Sequence, residues 1–192
     1  MWEACQIPDK IMEALSTGDL VNICLDFPLF FEFTASDDER KGIRFMINNF
    51  NGFGELSKRK DGVSELINAY KEYPVFTRVQ EPSSKDYFTP YKLLWIELVL
   101  ADDAFINQLS KQESAELGKI ITEKYARKVE NMHVYSLWNI TKTFLLGAVN
   151  ISAHSMADKT PQQQETINRY IENHRNPDES LLTEISKIIS GL

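Results

Sequence analysis

Three histidines, His133, His154 and His174, are the residues best suited to move a proton or hold a metal. They stand far apart in the chain, and no HExxH or HxH spacing brings two of them onto one helix face. No metal set, and no cofactor-binding set, can be assembled from that order. His133 falls at the beginning of a long apolar stripe and His154 at its fraying end. His174 sits in the last turn of the next helix, where the macrodipole favours a cation. No GxSxG elbow or SxxK motif supplies a nucleophile, and a triad built from distant residues is not visible in chain order. Two acid clusters remain, Asp37-Asp38-Glu39 and Asp102-Asp103. A general acid needs surroundings that raise its pKa. Both clusters instead fit the first turn of a helix, where negative charge is stabilising. Asn51-Gly52-Phe53-Gly54 lacks GxxxxGK[ST] and a preceding strand, so it reads as a turn with Phe53 inserted into the core. No catalytic residue is assigned.

The composition narrows the partners. The 192 residues carry 21 Lys+Arg against 28 Asp+Glu, a formal charge of −7. A polyanion is held by cations that displace its counterions, so nucleic acid is disfavoured, as is an anionic membrane surface. The only compact basic run, Lys58-Arg59-Lys60, reads as the solvated end of a helix. No stretch has the roughly 20 apolar residues that a transmembrane helix needs. The start, Met1-Trp2-Glu3-Ala4-Cys5, has neither a basic n-region nor an apolar h-region, so no signal peptide is expected. Two cysteines do not make a disulfide scaffold. Cys24 lies on an apolar face as a small hydrophobe, with a Cys5–Cys24 bond left open.

The elements that must position these residues are helices. Apolar residues recur at i, i+3, i+4 and i+7 in Leu20/Ile23/Cys24/Phe27, Ile43/Met46/Ile47/Phe50 and Val63/Leu66/Ile67/Tyr70. The same spacing recurs in Val134/Leu137/Trp138/Thr141/Leu145/Ala148, Ile167/Tyr170/Ile171/His174 and Leu181/Ile185/Ile188/Ile189. Capping boxes are expected at Ser36/Glu39, Ser110/Glu113 and Thr160/Gln163, with a variant at Asn176/Glu179. Pro90, Pro161 and Pro177 fit the first helical position. Gly18 separates the first two helices, Pro28 ends the second, and Asn51-Gly52 supplies a left-handed stop. No alternating strand of useful length occurs. The expectation is an all-α chain of about ten helices in an orthogonal bundle or irregular α-superhelix. It forms one helical domain over 1–192, with two lobes, 1–73 and 90–192, joined by 74–89.

Aromatic residues suggest one surface. Phe27-Pro28-Leu29-Phe30-Phe31-Glu32-Phe33 is too dense in rings for a single buried face, so part of it is core and the remainder is a candidate partner patch. The candidate interaction residues are Phe30, Phe31 and Phe33, with Tyr87 and Phe88 beside the proline-rich connection.

Two stretches carry a resemblance. One runs from Glu3-Ala-Cys-Gln-Ile-Pro8 through Met12, Leu15-Ser-Thr17 and Asp19-Leu-Val21 to Cys24-Leu-Asp-Phe-Pro-Leu29. The other is Asn49-Phe-Asn-Gly-Phe53, then Glu55-Leu and Lys58-Arg-Lys-Asp61, ending at Leu66 and Tyr70. Over residues 3–73 the chain resembles the opening of a poorly characterised helical family of exported proteins from gut-dwelling bacteria. Some members of that family are labelled immunoglobulin A1 protease. The resemblance implies a helical fold and an exported location, periplasmic or at the cell surface. It brings no catalytic motif.

These readings favour a non-catalytic helical interaction domain whose partner is another protein or peptide. The alternative is a hydrolase or peptidase with a site assembled from distant residues. It requires His133, His154 or His174 in a cleft beside a carboxylate or hydroxyl. A third reading, a small-molecule sensor, requires an interior cavity near Trp95 and Trp138.

Overall fold

A computed structural model of the protein describes residues 3–30, 38–76 and 89–192. Within them the chain is all-α, and no strand occurs among the described residues. The helices are α1 (Asp9–Ala14), α2 (Thr17–Leu25), α3 (Glu39–Asn49), α4 (Asn51–Leu56), α5 (Gly62–Glu72) and α6 (Thr89–Leu100). They continue as α7 (Asp103–Ile106), α8 (Lys111–Glu130), α9 (Leu137–His154), α10 (Pro161–Asn173) and α11 (Glu179–Ile189).

Helix α9 is the axis of the C-terminal half. It packs on α6, α8, α10 and α11, and every residue from Asn139 to Ile151 is buried. A helix covered on all sides is mostly apolar all round and must pair any charge it buries, and α6 has that character too, with Leu93–Leu100 wholly buried around Glu97. In the other half α5 packs on α2, and it also packs on α6. Buried apolar side chains therefore form one continuous cluster from Ile7 to Ile189. Each fully buried Leu, Ile or Phe in it contributes roughly 1.5–3 kcal/mol of transfer free energy.

Local chemistry explains most helix starts. Ser110 accepts from the Glu113 N–H at 3.2 Å while the Glu113 carboxylate accepts from the Ser110 N–H at 2.9 Å. Thr160 and Gln163 make the same reciprocal pair, with Pro161 at the first helical position. Two expected starts move. The N-cap of α3 is Asp38, whose carboxylate accepts from the Lys41 N–H at 3.1 Å, and Ser36 lies outside the described residues. The N-cap of α11 is Asp178 rather than Asn176, accepting from Leu181 N–H at 2.8 Å. Pro177 therefore precedes that helix rather than opening it.

The stops differ as well. Gly18 lies inside α2, whose cap is Ser16, so the break falls at Leu15–Ser16. No described residue has positive φ, so Asn51-Gly52 is not a left-handed stop. The chain bends at Phe50, in extended backbone, and starts α4 at once. Asn51 instead clamps the N-terminal segment. Its side chain accepts from Ile7 N–H at 2.9 Å and donates to Ile7 O at 2.8 Å.

Arg59 is not solvated as its basic run suggested. Its guanidinium donates to Leu15 O at 2.8 Å and to Met12 O at 3.0 Å, satisfying carbonyls left open at the end of α1. The two segments that carry the family resemblance are thus bonded to each other. Cys24 is buried in this half, as its apolar position implied, and both Cys5 and Cys24 are free thiols. Burial pushes the Cys24 thiol up, far from a reactive thiolate.

Candidate functional site

Two groups of polar side chains lie inside the fold. The first is closed. Glu97 of α6 and Lys128 of α8 are both fully buried, and the Lys128 ammonium donates to Glu97 Oε1 at 2.8 Å and Oε2 at 2.9 Å. Its third hydrogen goes to Thr143 Oγ1 of α9 at 2.9 Å. Thr143 in turn donates to Glu97 Oε1 at 2.9 Å, as does the Tyr70 hydroxyl of α5 at 2.9 Å. The Tyr135 ring faces the ammonium at 5.6 Å. Burial pulls Lys128 down and lifts Tyr70, while the Glu97 charge opposes the fall at Lys128. Every ammonium hydrogen has a partner, so the group ties four helices together and offers no open valence to a substrate.

The second group is incomplete. Glu39, at the start of α3, is 6% exposed. Its Oε1 accepts from Trp138 Nε1–H at 3.0 Å and lies 2.9 Å from Lys142 Nζ of α9, without the alignment of a hydrogen bond. Burial works against the Glu39 charge, but Lys142 and the Trp138 N–H hold it below the usual carboxylate range. Among the described residues Glu39 Oε2 has no hydrogen-bond partner. The acid cluster that the sequence places in the first turn of a helix therefore divides. Asp38 is the cap, and Glu39 is an interior ion-pair partner. Asp102 and Asp103 also meet a cation, because Arg44 donates to them at 2.6 and 2.7 Å.

His174 completes this second group. It caps the end of α10 and is 6% exposed, so burial opposes the cation that the macrodipole favours there. Its Nδ1 lies 2.9 Å from Ile171 O. A carbonyl only accepts, so Nδ1 carries the hydrogen and Nε2 keeps a lone pair, for which no partner exists among the described residues. Burial holds the imidazole below its ordinary pKa. The Ile171 carbonyl and Glu39 oppose that shift, and Lys142 and Arg40 reinforce it. His174 also lines a recess of about 360 Å³ with Asp38, Arg40, Lys41, Arg44 and Asp103.

A histidine held neutral in this way makes stability depend on pH. The unfolded chain binds a proton near 6.5, and the folded chain does so only at lower pH. The stability His174 contributes is complete above 6.5 and is lost as pH falls below it. In urea unfolding, wild type is expected to lose stability between about pH 7.5 and about pH 5. His174→Gln is expected to lose less over that window. Equal pH slopes for the two proteins would refute the assignment. Glu39 acts in a lower window, its contribution being present above 4.5 and lost below it.

The other predicted residues are not brought together. His154 Nε2 is 2.8 Å from Ile106 O, a structural bond between α9 and α7. His133 precedes α9, which starts only at Leu137 after the Ser136 cap. Phe30 is fully buried, stacked on Trp95 at 4.9 Å and edge-on to Phe53 at 6.0 Å, so it belongs to the core and not to a surface patch. Phe31, Phe33, Tyr87 and Phe88 lie outside the described residues. Trp138 is 37% exposed, a surface ring rather than the wall of an interior cavity. Among the described residues no three of His, Cys, Asp and Glu gather as metal ligands, and no helix is long and apolar enough to cross a membrane.

Neither buried group was legible in the helical stripes, which treat every charge as solvent-facing. A signal existed. Glu97 stands inside the apolar run Leu93–Leu100, and Lys142 stands in the buried stretch of α9, so each demanded an interior partner. Comparison with family profiles, curated proteins and solved structures gave no match.

Proposed function

We propose that the chain is a non-catalytic helical interaction domain that binds another protein through the corner where α8 turns into α9. The observation that carries this reading is the exposure there of Val129 (41%), Met132 (54%), Leu137 (51%) and Trp138 (37%). Large apolar side chains left exposed within ten residues of one another are candidates for desolvation by a partner's apolar side chains. The Trp138 ring is held in advance, by its bond to Glu39 and by the Lys142 ammonium 5.4 Å from its centre. An anchor already fixed loses little entropy on binding. The resemblance of residues 3–73 supports placing the domain in an exported bacterial protein.

The test places a photo-crosslinking residue at Leu137 and exposes the protein to the secreted and surface proteins of its source. One defined adduct is expected from wild type, strongly reduced by Met132→Asp and unchanged by Ile11→Asp, a substitution at another exposed apolar site. Adducts indifferent to Met132→Asp would remove this corner as the binding surface.

A second reading, hydrolysis, is favoured by one observation: His174 lines a recess together with Asp38 and Asp103. Its described lining contains no hydroxyl or thiol, so His174 would have to activate water directly. Peptide or ester hydrolysis that vanishes in His174→Gln would establish this reading in place of the first.

A further inference from the structure

We propose that Met132 is an oxidation site, at which a hydroperoxide turns the corner between α8 and α9 from apolar to polar without unfolding the chain; its effect on binding rests on that corner being the partner's docking surface. Exposure selects the sulfur. Met12 and Met46 are buried in the core, and Met156 packs partly buried against it. Met132 is 54% exposed and belongs to no part of the core cluster. Of the two thiols, Cys24 is buried and Cys5 partly so. A peroxide in solution therefore meets the Met132 thioether ahead of the core sulfurs.

The turn that carries Met132 is fixed from inside. Asn131 is buried and its side chain donates to Arg127 O at 2.8 Å, while its carbonyl accepts from the Val134 N–H at 2.8 Å and the Tyr135 N–H at 3.1 Å. Tyr135 is fully buried, and its hydroxyl accepts from the Phe76 N–H at 2.8 Å. Met132 stands between these two anchors. In the reaction its sulfur attacks one peroxide oxygen, and an S–O bond forms as the O–O bond breaks. The proton on the transferred oxygen passes to the departing hydroxide. Hydrogen peroxide is reduced to water by the two electrons that the sulfur loses, and methionine sulfoxide remains. In the free protein the new oxygen is solvated and the packing is untouched. Under a partner it must give up water among apolar groups, a cost borne by the complex and not by the fold.

The protein with the crosslinking residue at Leu137 is treated with hydrogen peroxide, freed of it with catalase, and only then exposed to the secreted and surface proteins. Peptide mapping is expected to find sulfoxide at Met132 well before Met12 or Met46, with the thermal melt unchanged. The oxidised protein is expected to leave a phenyl matrix earlier and to form its adduct about ten- to a hundredfold more weakly. Methionine sulfoxide reductases, with dithiothreitol as reductant, are expected to restore both. Met132→Leu keeps an apolar side chain without the sulfur and is expected to keep retention and adduct through the same treatment. Sulfoxide forming no faster at Met132 than in the core, a melt lowered by it, or retention and adduct that survive it would each overturn the proposal. An unoxidised protein that forms no adduct would instead remove the docking surface, and the switch with it.

Discussion

Lys128→Met is expected to destabilise the protein by about 3–5 kcal/mol, the cost of leaving one member of a buried ion pair without the other. The substitution keeps the length of the side chain, so little packing is lost. What remains is the Glu97 carboxylate, fully buried, with only the Tyr70 and Thr143 hydroxyls to face it. Its charge then survives at high cost, or it takes up a proton on folding. The double variant Glu97→Met/Lys128→Met removes both charges and is expected to recover most of the loss, because a buried pair contributes little net stability over an apolar equivalent. Urea unfolding of the two variants checks this. A single variant as stable as wild type would show that the ammonium is not the counter-charge the geometry implies.

Gly62→Ala is the second large effect, about 1–3 kcal/mol. A Cβ on Gly62 would lie 2.1 Å from the Leu56 carbonyl oxygen, and no side-chain rotation relieves a clash with backbone. The α4–α5 turn must open, carrying with it Arg59, which binds the end of α1. Gly147 offers the contrast. A Cβ there meets Ile189 Cδ1 at 2.4 Å, the movable tip of a flexible side chain. Gly147→Ala is therefore expected to cost less than Gly62→Ala, and thermal melts of the two would reverse the argument if their order were opposite.

Helix starts were legible where a capping oxygen and a reaching Glu or Gln coincide, as at Ser110/Glu113 and Thr160/Gln163. Where two cap-forming residues stand close together, spacing does not choose between them. Asn176 and Asp178 both qualify, and the structure uses Asp178. The α3 start shows the same ambiguity, because Ser36 and Asp38 both carry a capping oxygen, but there it decides which acid is interior. With Asp38 as cap, Glu39 turns inward toward Trp138 and Lys142, about one hundred residues away in sequence. No local pattern reports a pairing of that separation. Placing His174 in the last turn was sound, but the macrodipole argument assumes solvent around it. Here burial replaces that solvent, Arg40 of α3 and Lys142 of α9 add like charge, and the imidazolium is disfavoured.

The central claim is that interior charge serves cohesion, and that the Glu97 group joins α5 to α6, α8 and α9 so that both halves of the chain open together. Native-state hydrogen exchange tests it most directly. The slowest amides of α5 and α9 are predicted to share one opening free energy, equal to that of global unfolding, and to fall together in Lys128→Met. If α5 amides exchanged through a separate opening far below that of α9, unaffected by Lys128→Met, the buried group would not be what holds the halves together.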